Sequence, residues 1–284
     1  MSFDPQQLEN VESSDVPVRY VERDAILYAL GVGLGRDPDE SRELRFVSEL
    51  RGLHTLPTFA SMLVPPTLLD DCGLNAKLVL HRRQGLTLYR PLPPAAELKV
   101  SQRVTALYDR GSDRGAEICV SADVRRLRDD VAICTLENTV IARGDGGFGG
   151  APPAPREVVR TPRRDPDLVC DLPVRHDQAL LFRLSGDYNP LHVDALTARE
   201  AGFDAPILHG RCTYGVACHA VLRTVCDYDF TLIRRFDARF RKPVYPGDVI
   251  TTEMWQDGNR ILFRCSVAAR NVVVLDCGLC ELAD

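Results

Sequence analysis

A stiff polar segment that separates two apolar stretches carries an acid, an amide and an imidazole at Asp187, Asn189 and His192. Pro190 lacks a backbone N–H and restricts Asn189 towards extended backbone, so the segment is a turn. A carboxyl and an imidazole are well suited to exchanging protons near neutral pH. The plain alternative is a polar turn before a helix that Asp194 caps. The stiff turn and the spacing of acid and imidazole favour proton transfer.

The second candidate feature is the start of a helix at His209-Gly210, shortly after Pro206. Residues 211–225 are mostly small or apolar, which predicts a buried helix. Free N–H groups at its first turn, aligned with the helix dipole, could hold a developing oxyanion. A helix start without any chemical role fits the sequence equally well.

Other chemistries find no support in the residues. Gly31, Gly33 and Gly35 follow a helical stretch rather than a strand, so they do not form a dinucleotide-binding loop. Cys212 lies in an apolar helical stretch and is interpreted as a core residue. The spacing of His192, His209 and His219 fits no familiar metal motif, and we predict no metal site.

The composition indicates a globular protein of 284 residues, with 45% hydrophobic and 26% charged residues. The net charge of -5 and interspersed charges predict no nucleic-acid partner. No apolar stretch approaches the ~20 residues of a membrane span, so no membrane association is expected. The ten scattered cysteines are expected to be reduced core residues. The absence of a signal peptide and of a C-terminal Ser-Lys-Leu address predicts a cytoplasmic protein.

The strand and helix patterns of the first half recur in the second half, about 150 residues later, which is the size of one domain. A helical stretch, a Pro-x-x-Pro entry into a strand and a polar turn between strands all recur, and they predict an α+β fold built by duplication. Gly31–Gly35 stands where the second half has its acid and imidazole, so only the second half is expected to be catalytic. The predicted division is a loose N-terminus over residues 1–16, a domain over 17–143, a linker over 144–170 and a domain over 171–284.

Three segments of the second half together resemble the hydratase 2 motif of the MaoC-like dehydratases. They are residues 183–192 (Arg-Leu-Ser-Gly-Asp-Tyr-Asn-Pro-Leu-His), residues 201–210 (Ala-Gly-Phe-Asp-Ala-Pro-Ile-Leu-His-Gly) and residues 212–215 (Cys-Thr-Tyr-Gly). The closest resemblance is to (R)-specific enoyl-CoA hydratase 2, including the hydratase part of peroxisomal multifunctional enzyme type 2. It extends over about residues 17–284.

The resemblance implies a double hot-dog fold, with two antiparallel sheets that each wrap around a helix. It also implies reversible syn addition of water to a trans-2-enoyl-CoA, giving the (3R)-3-hydroxyacyl-CoA, with the first half accommodating the acyl chain. Coenzyme A is then part of the substrate and no separate cofactor is implied. A homodimer is expected from the same resemblance.

The resemblance further implies a role for each matching residue. His192 is the base for water, Asp187 donates a proton to C2, Asn189 orients the dyad, and the Gly210 N–H polarises the thioester carbonyl. The implied substrate contacts are His81, Arg82, Arg110, Pro190, Leu191 and Phe240. The chain departs from the pattern at Arg82, where a glycine is usual, and at Arg211, where an apolar residue is usual.

Two other functional classes compete with a hydratase. Hot-dog proteins include acyl-CoA thioesterases, which generally lack the Asp-x-Asn-Pro-x-His pattern present at residues 187–192. A non-catalytic acyl-CoA-binding subunit is the third class, and the intact acid and imidazole argue against it.

Overall fold

A single antiparallel sheet of ten strands organises the parts of the chain that the computed structural model describes, residues 3–75, 78–153 and 159–283. In chain order the strands are β1 (Glu12–Tyr20), β2 (Val79–Leu88), β3 (Ala96–Asp109), β4 (Ala116–Arg126), β5 (Ala132–Ala142), β6 (Leu168–Pro173), β7 (Ile233–Phe240), β8 (Val249–Asp257), β9 (Arg260–Val267) and β10 (Val272–Leu282). The α+β class predicted from the sequence is confirmed.

The same strand order occurs twice in this sheet. The first half runs β1-β3-β4-β5-β2 and the second, counted inwards from its edge, runs β6-β8-β9-β10-β7. β2 pairs antiparallel with β7, so the two predicted sheets join into one, with Gly85 opposite Asp237 at the seam. A Cβ on Gly85 would lie 2.9 Å from the Asp237 carboxylate, which explains the glycine there. A duplication would produce this repeated strand order. The exact domain boundaries stay a prediction.

The helices lie mainly in two segments of the chain, between β1 and β2 and between β6 and β7. They are α1 (Pro5–Glu9), α2 (Glu22–Gly31), α3 (Leu44–Val47), α4 (Gln178–Phe182), α5 (Ala195–Glu200) and α6 (Gly210–Thr224). The longest of them, α6, packs against β6, β7 and β8, and its residues 212–222 are all buried. The prediction of a buried helix after Gly210 is confirmed. No helix in the described ranges is long and apolar enough to cross a bilayer.

Several segments differ from the sequence-based expectation. Residues 5–9 form α1 and residues 12–20 form β1 on the edge of the sheet, although residues 1–16 were expected to be loose; pairing with β3 fixes them. Residues 168–170 of the expected linker belong to β6, and residues 154–158 lie outside the described ranges. A largely buried 3-10 helix at Pro57–Met62 lies between α3 and β2.

A buried polar cluster ties the two halves together. Glu43 lies in a strongly charged stretch of the sequence, yet it is only 2% exposed. Its carboxylate accepts hydrogen bonds from His219 Nε2–H at 2.9 Å, from the Tyr228 hydroxyl at 2.8 Å and from the Gly35 N–H at 2.7 Å. Burial acts to raise the pKa of Glu43, but these donors outweigh it and the pKa is lowered. All ten cysteines are free and nine are buried, as predicted.

Candidate active site

The polar turn begins where a short helical stretch is stopped by a glycine. α4 continues into a 3-10 turn at Arg183–Ser185, and Gly186 ends it in the left-handed region with φ of 114°. Glycine adopts this conformation without the steric cost that a Cβ brings. The chain therefore leaves the helix abruptly at Asp187.

Asn189 holds the turn that follows. Its side-chain oxygen accepts a hydrogen bond from the Leu191 N–H at 3.0 Å, and its own N–H points at Asp187 Oδ1 at 3.4 Å. Pro190 is the first residue of the 3-10 turn Pro190–His192, where the missing N–H costs nothing. Asn189 thus shapes the turn through its side chain and orients the carboxyl of Asp187 through its backbone.

His192 presents one ring nitrogen for chemistry because the other is occupied. Its Nδ1 lies 2.8 Å from the carbonyl oxygen of Ile207, which can only accept, so Nδ1 carries the proton in the neutral ring. Nε2 is then the unprotonated nitrogen. The side chain is buried, and burial lowers the pKa of His192, which favours the neutral form that can accept a proton.

His209 completes the cluster, and the sequence indicated it only as a helix start. Its ring stacks on that of His192 with centroids 3.7 Å apart, and its Nε2–H donates to the Asp187 carbonyl oxygen at 3.1 Å. Phe182 covers the other side at 5.0 Å, and His209 is fully buried. Burial, followed by the neighbouring His192, lowers the pKa of His209 to about 4. Its position directly before Gly210 was the only sequence signal for it.

A metal ion fits this cluster poorly, although one donor atom each from Asp187, His192 and His209 lies within 4.8 Å of the others. The two imidazole planes are inclined by only 30° at a centroid distance of 3.7 Å. A metal in the plane of both rings would lie roughly 7 Å from the ring centres, whereas a nitrogen-bound metal lies about 3 Å away. The stacked arrangement therefore suits proton transfer better than metal binding.

The N-terminus of α6 lies beside the turn, because His209 at that end contacts His192 and the Asp187 carbonyl oxygen. His209 is the residue that precedes the helix, and no described side chain caps the first turn. A Cβ on Gly210 would lie 3.3 Å from the ring of Phe240, which is a tight contact. The glycine therefore lets the Phe240 ring pack closely against the start of α6. The Phe240 ring in turn lies 4.7 Å from that of His81. Burial, followed by the charge of Arg211, lowers the pKa of His81 to about 3.

Two predicted substrate contacts converge on a single buried acid. Arg82 Nε and Arg110 Nε lie 3.7 Å and 3.9 Å from Glu117 Oε2, and both side chains remain partly exposed. The pairing of β2 with β5 shifts register between His81 and Arg83, so Arg82 stands at a β-bulge. Arg82, which stands where the resemblance implies a glycine, thus lies at an irregularity in the pairing of β2 with β5.

The predicted site residues therefore fall into two groups. The first surrounds the start of α6 and consists of Asp187, Asn189, Pro190, Leu191, His192, Gly210, Phe240 and His81. The second is the arginine pair at Glu117. A separate cavity of about 380 Å³ lies between β6, α6 and the segment after α2, lined in part by Val32 and Gly33.

Known proteins match this chain over nearly its whole length. Residues 18–144 match the MFE-2 hydratase 2 N-terminal domain, and residues 157–276 match the MaoC like domain. Enoyl-CoA hydratase 2, peroxisomal, of Arabidopsis thaliana is 38% identical over 276 residues, covering 90% of this chain and 88% of the relative. 3-hydroxyacyl-thioester dehydratase Y of Mycobacterium tuberculosis is 37% identical over 292 residues, covering 99% of both. The crystal structure of a MaoC-like dehydratase from Phytophthora capsici superposes with a TM-score of 0.86 at 29% identity, covering 98% of this chain and 96% of that one.

Proposed function

Because this chain belongs to the MaoC-like dehydratases of the hydratase 2 type and has their double hot-dog fold, we propose that it is an (R)-specific enoyl-CoA hydratase. The reaction is reversible syn addition of water to a trans-2-enoyl-CoA, giving the (3R)-3-hydroxyacyl-CoA. The observation that carries the proposal is the cluster of Asp187, His192 and His209, in which one donor atom of each lies within 4.8 Å of the others and His209 directly precedes α6.

His192 acts on the water. With Nδ1–H committed to the Ile207 carbonyl, the lone pair on Nε2 accepts a proton from water while the water oxygen bonds to C3 of the substrate. Burial keeps the resting ring neutral, so a base is present at neutral pH. In the dehydration direction, the protonated ring returns this proton to the leaving hydroxyl.

Asp187 delivers the proton to C2. Attack at C3 moves the double-bond electrons towards the thioester carbonyl, and protonation at C2 returns them to a new C–H bond. Asp187 holds this proton at the start of the cycle. One donor atom of Asp187 and one of His192 lie within 4.8 Å of each other, so the proton gained by His192 can return to Asp187 through one water molecule before the next turnover. His209 holds the backbone carbonyl of Asp187 and so fixes the position from which its carboxyl acts.

The start of α6 stabilises the charge that develops on the thioester oxygen. The Gly210 N–H is free of an intrahelical acceptor and lies at the positive end of the helix dipole. An N–H group in this role lowers the barrier by about 3 kcal/mol in comparable enzymes. Phe240 beside Gly210 limits where the thioester can lie.

The remaining substrate contacts follow the same path outwards from the reacting carbon atoms. Pro190 and Leu191 border the thioester, His81 lies beyond Phe240, and the pair Arg82 and Arg110 contacts the phosphates of coenzyme A. Coenzyme A enters as part of the substrate, and no resident cofactor takes part. The acyl chain extends towards the first half, where the cavity beside Val32 and Gly33 is a candidate for its far end.

An assay that follows both the enoyl absorbance and free thiol separates hydration from thioester hydrolysis. Purified protein should consume crotonyl-CoA or a longer enoyl-CoA without releasing thiol, and chiral analysis should give the (3R) product. Thiol release at the rate of enoyl loss would assign the protein to the thioesterases. Failure of the protein to act on any enoyl-CoA of a chain-length series would leave an acyl-CoA-binding role.

Single substitutions test the two catalytic assignments. Asp187→Asn and His192→Ala should each lower kcat by about 100- to 10,000-fold, because each removes a proton-transfer group. The matched controls are Asp204→Asn and His176→Ala, two exposed positions that should keep wild-type activity. A folded dyad variant that hydrates at the wild-type rate would refute its assigned role.

Three further properties stay predictions: a homodimer, a cytoplasmic location and a role in fatty acid or steroid side-chain oxidation. Analytical ultracentrifugation checks the first, since a monomer at micromolar concentration would contradict it. Fluorescence imaging of the tagged chain checks the second. A series of straight-chain and steroid side-chain enoyl-CoA substrates addresses the third.

A further inference from the structure

Asp109 joins two segments that lie apart in the sequence, the turn between β3 and β4 and a glycine-rich segment at residues 144–150 (Gly-Asp-Gly-Gly-Phe-Gly-Gly). One oxygen of its carboxylate accepts hydrogen bonds from the N–H groups of Gly111 and Gly147, both at 2.8 Å. The other oxygen accepts from the Gly149 N–H at 2.7 Å. The proposed hydration gives no role to this junction.

The two segments are also in direct backbone contact. A Cβ on Gly146 would lie 2.3 Å from the Gly111 carbonyl oxygen, closer than a Cβ can approach, so this contact requires a glycine at position 146. The Asp109 N–H donates to the Ala151 carbonyl oxygen at 2.8 Å, just beyond the glycine-rich segment. The N–H groups of Gly147 and Gly111 hold the pKa of Asp109 below its usual range, so the carboxyl is ionised at neutral pH.

Arg110 is the residue that this junction presents. It directly follows Asp109, and its N–H donates to the Gly115 carbonyl oxygen at 3.1 Å, which closes the turn. Its Nε lies 3.9 Å from Glu117 Oε2, the same oxygen that Arg82 approaches to 3.7 Å. Two guanidinium groups that share one carboxylate keep an excess positive charge, which suits a phosphate. The direction of the Arg110 side chain therefore depends on a turn that Asp109 fixes.

We propose that Asp109 is a positioning residue for the substrate: by fastening the turn to the glycine-rich segment, it holds the Arg110 guanidinium where it meets the phosphates of coenzyme A. This inference rests on the proposed function and on the phosphate contact assigned there to Arg110. The phosphates lie outside the reacting part of the substrate, and their charge does not change during hydration. The contact is then equally strong in the bound substrate and in the transition state, so its loss should raise KM and leave kcat nearly unchanged.

The sign of the change in KM separates positioning from a plain charge effect. Removing a carboxylate beside a phosphate site reduces repulsion, so the charge alone would lower KM. Asp113 supplies the matched control, because it is an exposed acid of the same turn that accepts from the neighbouring Ser112 hydroxyl at 3.4 Å. Asp113→Asn should leave KM unchanged or slightly lowered, whereas substitution of Asp109 should raise it.

The first test uses two substrates. Crotonyl-CoA carries the phosphates, and the crotonyl thioester of N-acetylcysteamine lacks them. Asp109→Ala should raise KM for crotonyl-CoA about 10-fold with kcat within about 2-fold of wild type, and Asp109→Asn, which keeps one acceptor oxygen, should raise KM less. Neither variant should change kcat/KM for the N-acetylcysteamine thioester. Two variants are used so that a folding defect in one does not decide the result.

The second test shows whether Asp109 acts through Arg110. Arg110→Met should raise KM for crotonyl-CoA at least as much as Asp109→Ala does, because it removes the guanidinium itself. The double variant Asp109→Ala with Arg110→Met should have the KM of Arg110→Met alone, since a misplaced side chain that is absent can lose nothing more.

Three results would overturn the role of Asp109: an unchanged KM for crotonyl-CoA in a folded Asp109→Ala variant, an equal loss on both thioesters, or additive effects in the double variant. Absence of hydration of crotonyl-CoA by the wild type would instead refute the proposed function. Normal wild-type hydration with an unchanged KM in Arg110→Met would refute the phosphate contact of Arg110, and the inference with it, while the hydratase assignment stands.

Discussion

Replacing Glu43 with glutamine should destabilise the whole fold, because Glu43 connects the two halves from a position without solvent. The acid lies just before α3 in the first half, while His219 on α6 and Tyr228 belong to the second half. Three donors, including the Gly35 N–H, point at its carboxylate. Glutamine has one acceptor oxygen and a donor NH2 group, so it cannot satisfy all of them.

The expected loss follows from these contacts. Each hydrogen bond to a charged group contributes about 1.5–3 kcal/mol, and a buried donor left without its acceptor costs about 1–3 kcal/mol. We expect Glu43→Gln to lower the free energy of unfolding by about 3–5 kcal/mol. Glu97→Gln is the matched control: Glu97 lies 4.0 Å from Arg19 with a side chain 66% exposed, and its loss should cost less than about 1 kcal/mol.

Urea unfolding at several pH values measures both effects, provided that the slope m is unchanged between variants. The pKa of Glu43 is lowered in the folded state, so its contribution is fully present above the unfolded pKa of about 4.3. The contribution disappears as the pH falls through the lower folded pKa. The gap between wild type and Glu43→Gln should therefore be constant near neutral pH and narrow below about pH 4. A gap under about 1 kcal/mol at pH 7 would refute the reasoning.

Two further predictions concern the site and the packing beneath it. Because His192 must be neutral to accept a proton and burial lowers its pKa, kcat/KM should stay level as the pH falls through about 6.5 and decline only below that value; a decline that begins above it would contradict the assignment. Gly215→Ala places a Cβ 2.5 Å from Val32 Cγ1 and 2.7 Å from the Tyr28 hydroxyl, so thermal unfolding should show a loss of about 1–3 kcal/mol, partly recovered by Val32→Ala; full stability of the single variant would contradict this packing.

The features that the sequence predicted best are those fixed by a few neighbouring residues. Gly186 ends the helical stretch, Pro190 stiffens the turn, and Gly210 starts a helix of small and apolar residues, so both features follow from local chemistry. Asp194 caps α5 through the Thr197 N–H at 2.7 Å, as the plain interpretation of the turn expected. The turn is therefore consistent both with proton transfer and with a plain polar turn before a capped helix, and its local sequence does not distinguish the two.

What the sequence did not predict depends on contacts between distant segments. Glu43 lies in a charged stretch that is typical of a surface. Its burial depends on hydrogen bonds from His219 and Tyr228, more than 170 residues further on, in addition to the one from the Gly35 N–H. The stacking of His209 on His192 likewise requires the turn and the helix to meet in space. The joining of two sheets through β2 and β7 depends on how the halves associate, which no local pattern contains.

The stacked imidazoles limit the site to one extra proton. With centroids 3.7 Å apart, a positive charge on one ring opposes a second charge on the other. Burial is the main cause of the lowered pKa of His209, and this opposition from His192 is the next. A proton taken up by His192 cannot be stored on its neighbour and must leave before another arrives. Hydration and dehydration then pass through the same state, in which the pair His192 and His209 carries a single positive charge. Hydration reaches this state from the enoyl-CoA and dehydration from the 3-hydroxyacyl-CoA.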